Sequence, residues 1–124
     1  MLRRFEGETG RRLRIEALAS QKIVAGNRDL AEALADRVEL RSVKPGDVII
    51  EQGASDNDIF LIFSGTFDVI VNGRTVGRRV ANDHVGEMAA IEPTQKRAAS
   101  IVVAEEGVIA CLSEAELSQF ASRH

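Results

Sequence analysis

The spacing of hydrophobic positions changes near residue 40. Before it, Leu13, Ala17, Leu18 and Val24 recur at helical intervals up to Gly26, which suits a helix stop. Asn27 then suits the cap of a second helix, with Asp29 in its first turn and Leu30, Ala31, Leu34 and Val38 as its inner stripe. Beyond residue 40 the chain reads as short strands punctuated by glycine turns. Lys44-Pro45-Gly46-Asp47 is a turn, Val48–Ile50 a strand, Gln52 to Asp58 a polar loop, Ile59–Phe63 a buried strand and Ser64-Gly65 a turn. Thr66 to Val71 alternates, with Phe67, Val69 and Val71 inward. Asn72-Gly73 is a strong hairpin signal feeding Arg74 to Val80. Ala98 to Val103 reads as a strand, Glu105-Glu106-Gly107 as a turn and Val108 to Leu112 as another strand. Ser113-Glu114-Ala115-Glu116 is a capping box for a helix with Leu117 and Phe120 on one face. The pattern predicts an α+β, mainly β, fold: a sandwich, or an antiparallel β-roll or jelly roll, of about eight short strands, flanked by N-terminal helices, a short internal helix and a C-terminal helix. Residues 1–10 carry two glycines and no period, so they read as a tail, 11–40 as a helical segment and 41–124 as the roll with the start of its last helix.

Composition narrows the class without changing that picture. A chain of 124 residues, 44% hydrophobic and 28% charged, is one globular domain that can bury a core without disulfides or metal. Its net charge of −3 provides no general attraction for nucleic acid, so anion affinity has to be local. Arg3, Arg4, Arg11, Arg12 and Arg14 make the start basic, but Glu6, Glu8 and Glu16 interleave with them and no aromatic platform accompanies them; a solvated helix face explains them best. Cys111 is the single cysteine, set in an apolar run, which excludes an internal disulfide and points to a reducing cytoplasm. No stretch has the roughly 18 apolar residues of a membrane span, and the N-terminus lacks the apolar core of a signal peptide. His84 is expected in a turn; a metal role would leave only His124 to join it. No catalytic triad, metal cluster or Walker loop is present, so no cofactor and no catalysis are expected of this module.

The chemistry concentrates in Val85 to Ile101. Gly86 lets backbone approach a ligand or take a strained conformation, and Glu87-Met88-Ala89-Ala90 can open a short helix whose free N–H groups attract an anion. Pro93 stops that helix, and ten residues after Glu87 comes Arg97, whose planar guanidinium can hold two phosphate oxygens at once. One carboxylate and one guanidinium are thereby expected at one pocket, although the same pair could be a structural ion pair.

This stretch resembles the phosphate-binding cassette of cyclic nucleotide-binding domains: an apolar residue, Gly-Glu, apolar residues, a short loop, then Arg-x-Ala-Ser/Thr and an aliphatic residue. Val85-Gly86-Glu87-Met88-Ala89 and Arg97-Ala98-Ala99-Ser100-Ile101 match at both ends and in spacing, and Gly46, Gly53 and Gly65 match the family's earlier glycines in order. The resemblance covers roughly residues 42–120. It implies that Glu87 accepts the ribose 2′-hydroxyl, Arg97 pairs with the cyclic phosphate, and backbone N–H groups of the short helix complete the phosphate shell, with Gly86, Met88, Ala89, Ala98 and Ser100 lining the site. Asn82 stands where the family usually has glycine, and His84 and Val85 where it usually has aromatics.

The resemblance further implies a regulatory sensor of a 3′,5′-cyclic mononucleotide, cytoplasmic, acting on an effector domain expected after His124 and compatible with homodimerisation. Family outputs include helix-turn-helix regulators, kinase regulatory subunits, ion channels, and antiphage TIR effectors of the Pycsar type, in which a TIR domain would carry the NAD-hydrolysing chemistry. Base preference is the least legible feature. Ala98 lacks the hydroxyl that helps hold guanine in some relatives, and Arg78 or Arg79 could favour cyclic UMP, or another cyclic pyrimidine nucleotide, over cyclic AMP. The alternative class is a β-roll without ligand, used for oligomerisation or docking.

Overall fold

The computed structural model describes residues 2–86 and 96–123, with side chains in the last helix described at Glu114, Ala115, Glu116, Ser118 and Gln119. A 3-10 turn, Leu2–Phe5, leads into α1, Gly7–Ala19; α2 spans Arg28–Ala35. Six described strands follow: β1 Glu39–Val43, β2 Val48–Ile50, β3 Ile59–Val71, β4 Arg74–Arg79, β5 His84–Val85 and β6 Ser100–Leu112. Helix α3, Glu114–Arg123, comes last. The strands form one antiparallel sheet in the order β1-β6-β3-β4, with β2 added to β6 and β5 to β3.

Among the described residues the strands number six because two expected turns are bends within unbroken strands. Ser64-Gly65 lies inside β3 and Glu105-Glu106-Gly107 inside β6, and the β3–β6 register shifts between Ile62 and Phe67. At Gly65 φ is +99°, and a Cβ there would lie 2.9 Å from the Gly107 Cα. The two glycines let one backbone fold over the other, so the roll turns a corner without giving up its ladder.

Both faces of the bent sheet are covered. Along β3 and β6, Ile59, Leu61, Phe63, Val108, Ala110 and Leu112 pack with Ile15, Leu18, Val24, Ala31 and Leu34 of the helical segment. The alternate residues Phe60, Ile62, Phe67 and Ile109 turn inward with Val43, Ile50, Val85, Ile101 and Val103. Two-sided burial is why Ile59–Phe63 is apolar without alternation. Cys111 lies against the inner cluster, and burial raises its thiol pKa to about 11, so it stays protonated as a small core residue.

The N-terminal segment departs from expectation. Residues 2–10 are part of the folded body, not a tail: Phe5 is buried against Phe63, with ring centroids 5.1 Å apart at 60°, and contributes about 2 kcal/mol of burial. Helix α1 ends at Ala19 rather than near Gly26, and its inner residues are Gly10, Ile15 and Leu18, while Leu13 is exposed. A Cβ on Gly10 would lie 2.3 Å from the Phe5 carbonyl carbon, so the Phe5 backbone fixes which face of α1 turns inward. The capping predictions hold. Asn27 Oδ1 accepts from Leu30 N at 3.1 Å, and Ser113 Oγ accepts from Glu116 N at 3.2 Å. The Asn72-Gly73 turn has φ of +51° and +80°, both positive as a type I′ hairpin requires.

Candidate functional site

Arg97 lies just before β6, on a segment that pairs with the loop after β2. Arg97 N donates to Ala54 O and Gly53 N to Arg97 O, both at 2.8 Å, and Gln52 N donates to Ser100 Oγ at 2.9 Å. These bonds fix the backbone and aim the guanidinium inward, where Arg97 is only 5% exposed, the one buried charge among the described residues. A buried cation is costly unless hydrogen-bonded. Three acceptors meet it: Nη1 donates to Gly86 O at 3.0 Å, and Nη2 to Asp58 O and Asp56 Oδ2, each at 2.7 Å. Nε has no hydrogen-bond partner among the described residues.

Gly86 is required here for a reason beyond flexibility. Its φ is +90°, and a Cβ would stand 2.5 Å from Asp58 O and 2.8 Å from Arg97 Nη1. Only glycine allows the backbone carbonyl and the guanidinium to meet. Val85 fixes the approach by pairing with Phe60, and Asn82, with φ of +75°, takes the left-handed turn expected of it. That turn is also tied to the helical segment: Lys22 Nζ lies 2.6 Å from Asp83 Oδ1, and Lys22 N donates to Asn82 O at 3.0 Å. The hydrogen bond from Lys22 holds the Asp83 carboxyl below its ordinary pKa.

Gly86 and Arg97 therefore meet, as the sequence predicts. Ser100, also predicted, sits at the start of β6; its hydroxyl oxygen accepts from Gln52, leaving its proton available to donate. Ala98 is exposed and small. Glu87, Met88 and Ala89 lie outside the described residues, as does the expected short helix. Arg78 and Arg79 separate clearly. Arg78 opposes Asp68 and pairs with it, Nε to Oδ1 at 3.2 Å. Arg79 opposes Phe67, an inner-core residue, but is itself exposed; its Nη1 donates to Arg78 O at 3.1 Å, and it has no ion-pair partner among the described residues.

Asp56, Asp58 and Gln52 are the functional neighbours that sequence reasoning misses. Asp56 and Asp58 are 41 and 39 residues from Arg97, and their loop reads only as polar. The Arg97 hydrogen bond holds the Asp56 carboxyl below its ordinary pKa of 3.8, against a smaller opposing effect of burial. A carboxylate with a lowered folded pKa stabilises the fold above its ordinary value and loses that contribution as pH falls through the lowered one. Asp56→Asn should therefore melt below wild type at neutral pH, with the gap closing in acid below pH 3.8. Thermal melts across that range check it; a gap independent of pH would show that the charge is not what matters.

Comparison with known proteins agrees with this geometry. The sequence profile of the cyclic nucleotide-binding domain matches residues 40–124. The chain belongs to that family. It is 51% identical over its full length to the Pycsar effector protein BcPycTIR of Burkholderia cepacia and 42% identical over 99% of its length to XpPycTIR of Xanthomonas perforans. In each case it spans 41% of the relative. Among solved structures, cAMP-bound PfPKA-R superposes with a TM-score of 0.84 at 18% identity, over 91% of this chain and 40% of that one. A Trypanosoma brucei regulatory subunit of a cAMP-independent protein kinase A gives 0.82 at 24% identity, over 90% of this chain and 43% of that one. At these identities the structural matches establish the fold: the family's β-roll.

Proposed function

We propose that this domain is a regulatory sensor that binds a 3′,5′-cyclic mononucleotide through Arg97 and Glu87, prefers cyclic UMP or another cyclic pyrimidine nucleotide to cyclic AMP, and reports occupancy to an attached effector. The observation that carries the reading is Arg97 itself: a guanidinium sunk in the roll beside Gly86, oriented by three acceptors, with an Nε–H that has no partner among the described residues. An anion at this place gains a desolvated, pre-aimed donor set, and Ser100 can add a hydroxyl proton. The likeness to Pycsar TIR proteins supports an effector of that kind and a role in antiphage defence. Capture of ligand biases the effector by favouring one arrangement of the flanking helices. Titration calorimetry with cyclic UMP, CMP, AMP and GMP tests the reading; a protein that binds none of them is a docking or oligomerisation module.

Glu87 follows Gly86 directly in sequence, and a 3′,5′-cyclic ribonucleotide has only its 2′-hydroxyl free. Glu87→Gln keeps an acceptor but loses charge assistance and Glu87→Ala loses both, so affinity should fall in that order. A 2′-deoxy ligand should discriminate little among the three proteins. Wild-type protein that binds ribo and 2′-deoxy ligands equally well would exclude this role.

For the base, the register favours Arg79 over Arg78. Arg78 is occupied by Asp68, whereas Arg79, across from the inner-core Phe67, forms no ion pair among the described residues and keeps donors beyond the one bonded to Arg78 O, which suit carbonyl-bearing bases. Arg79→Ala should lower the preference for cyclic UMP over cyclic AMP by about 1 kcal/mol, roughly fivefold, and Arg78→Ala should leave it unchanged. Competition binding reads both, and an unchanged ratio in Arg79→Ala means that the base is read elsewhere.

A further inference from the structure

Gln52 stands at a junction that the phosphate chemistry does not use. Its side-chain amide meets Asn72 in a closed pair: Nε2 donates to Asn72 Oδ1 at 3.0 Å, and Oε1 accepts from Asn72 N at 2.8 Å. Its backbone N–H is held by Ser100 Oγ at 2.9 Å, and the next two residues form the short ladder with Arg97. One end of Gln52 is therefore fastened to the Arg97 segment and the other to the tip of the β3–β4 hairpin. That tip is exposed, with Asn72, Gly73 and Arg74 all open to solvent, and the Gln52 amide ties it to the 52–58 loop through two hydrogen bonds. The same loop carries Asp56 and Asp58, which orient Arg97.

We infer that Gln52 is a positioning residue that couples occupancy of the Arg97 anion site to the placement of the β3–β4 hairpin. This rests on the ligand reading above and adds a path that it does not contain. Any movement of the 52–58 loop as an anion engages Arg97 is delivered to Asn72 through two complementary hydrogen bonds. Asn72, with φ of +51°, is the first residue of the two-residue turn that leads into β4, so a pull on it acts directly on the start of that strand. An amide suits the task because it supplies one donor and one acceptor to a partner that presents one of each. A carboxylate would add charge beside the anion site, and an apolar side chain would make neither bond.

The test uses the whole chain with cyclic UMP as probe, comparing Gln52→Ala, Asn72→Gly and the double variant. Asn72→Gly keeps the turn, because glycine accepts a positive φ, and removes only the Oδ1 acceptor. Cyclic UMP affinity is expected to fall about three- to tenfold in Gln52→Ala and less in Asn72→Gly, with the double variant no weaker than Gln52→Ala, since both changes remove one contact. Hydrogen exchange of the Asn72 amide supplies a readout that general loosening of the fold would not reproduce. Saturating ligand is expected to slow it in wild type and leave it unchanged in Gln52→Ala, while core amides such as Ile109 stay equally protected in both. Wild type that binds while Gln52→Ala binds equally well, or still shows ligand-dependent protection at Asn72, overturns the coupling alone. Wild type that binds none of the four cyclic nucleotides overturns the ligand reading and the coupling with it.

Discussion

Arg97→Ala is expected to weaken cyclic nucleotide binding by about 2 to 5 kcal/mol, on the order of 30-fold to several thousand-fold. The size follows from where the guanidinium sits. It is almost wholly shielded from water, so an anion beside it keeps most of the Coulombic attraction that solvent would otherwise screen. It is also pre-oriented, with Gly86 O, Asp58 O and Asp56 Oδ2 fixing its plane before any ligand arrives, so little side-chain entropy remains to be lost on binding. Arg97→Lys should recover only part of the loss. A single ammonium nitrogen cannot hold both carbonyls and the carboxylate while presenting a planar pair of donors. Calorimetric titration of the three proteins with cyclic UMP checks this, with circular dichroism to confirm that each is folded. Equal affinity of wild type and Arg97→Ala would move the site elsewhere on the roll.

Gly107→Ala should have the largest effect on folding. A Cβ at Gly107 would lie 2.0 Å from Ser64 O, 2.5 Å from Ser64 C and 2.7 Å from the Gly65 Cα. All three atoms are backbone on the neighbouring strand, so no rotamer change relieves the clash and the β3–β6 crossing has to open. The cost should be about 3 kcal/mol or more, which for a domain of this size lowers the melting temperature by roughly 10 °C. Gly46→Ala is the comparison. Its φ is +93° but nothing lies within 4 Å of the added carbon, so it bears only the conformational strain, about 1 to 2 kcal/mol. Denaturant unfolding of the two variants separates steric exclusion from backbone preference; a loss in Gly107→Ala no larger than in Gly46→Ala would mean that the crossing relaxes around the added carbon.

At Gly65 and Gly107 local signals are not enough to fix the strands. Ser64-Gly65 and Glu105-Glu106-Gly107 carry ordinary turn signals, and each by itself predicts the end of a strand. Whether a glycine ends a strand or bends it depends on what lies opposite, and here each lies opposite the other. Similarly, Phe5 and Gly10 belong to a stretch with no period, and their burial depends on Phe63, which is brought over them only by the folded sheet. Local signals fared better where the chemistry itself was local. Asn27, the Ser113–Glu116 box and the Asn72-Gly73 turn each satisfy backbone groups within three residues, so the sequence alone contains both partners.

The sequence by itself determined the mainly-β roll with a helical start, the hairpin and the caps, because periodicity and short-range hydrogen bonding are written in neighbouring residues. Tertiary structure alone decided that Arg97 is buried, that Asp56 and Asp58 from a loop about 40 residues earlier orient it, that Arg78 opposes Asp68 while Arg79 opposes Phe67, and that Gln52 joins the hairpin to the Arg97 segment. Each of these depends on which strand pairs with which and in what register. A one-residue slip would exchange the faces of Arg78 and Arg79, and strand pairing is set by the closing of the whole sheet rather than by any one segment of it.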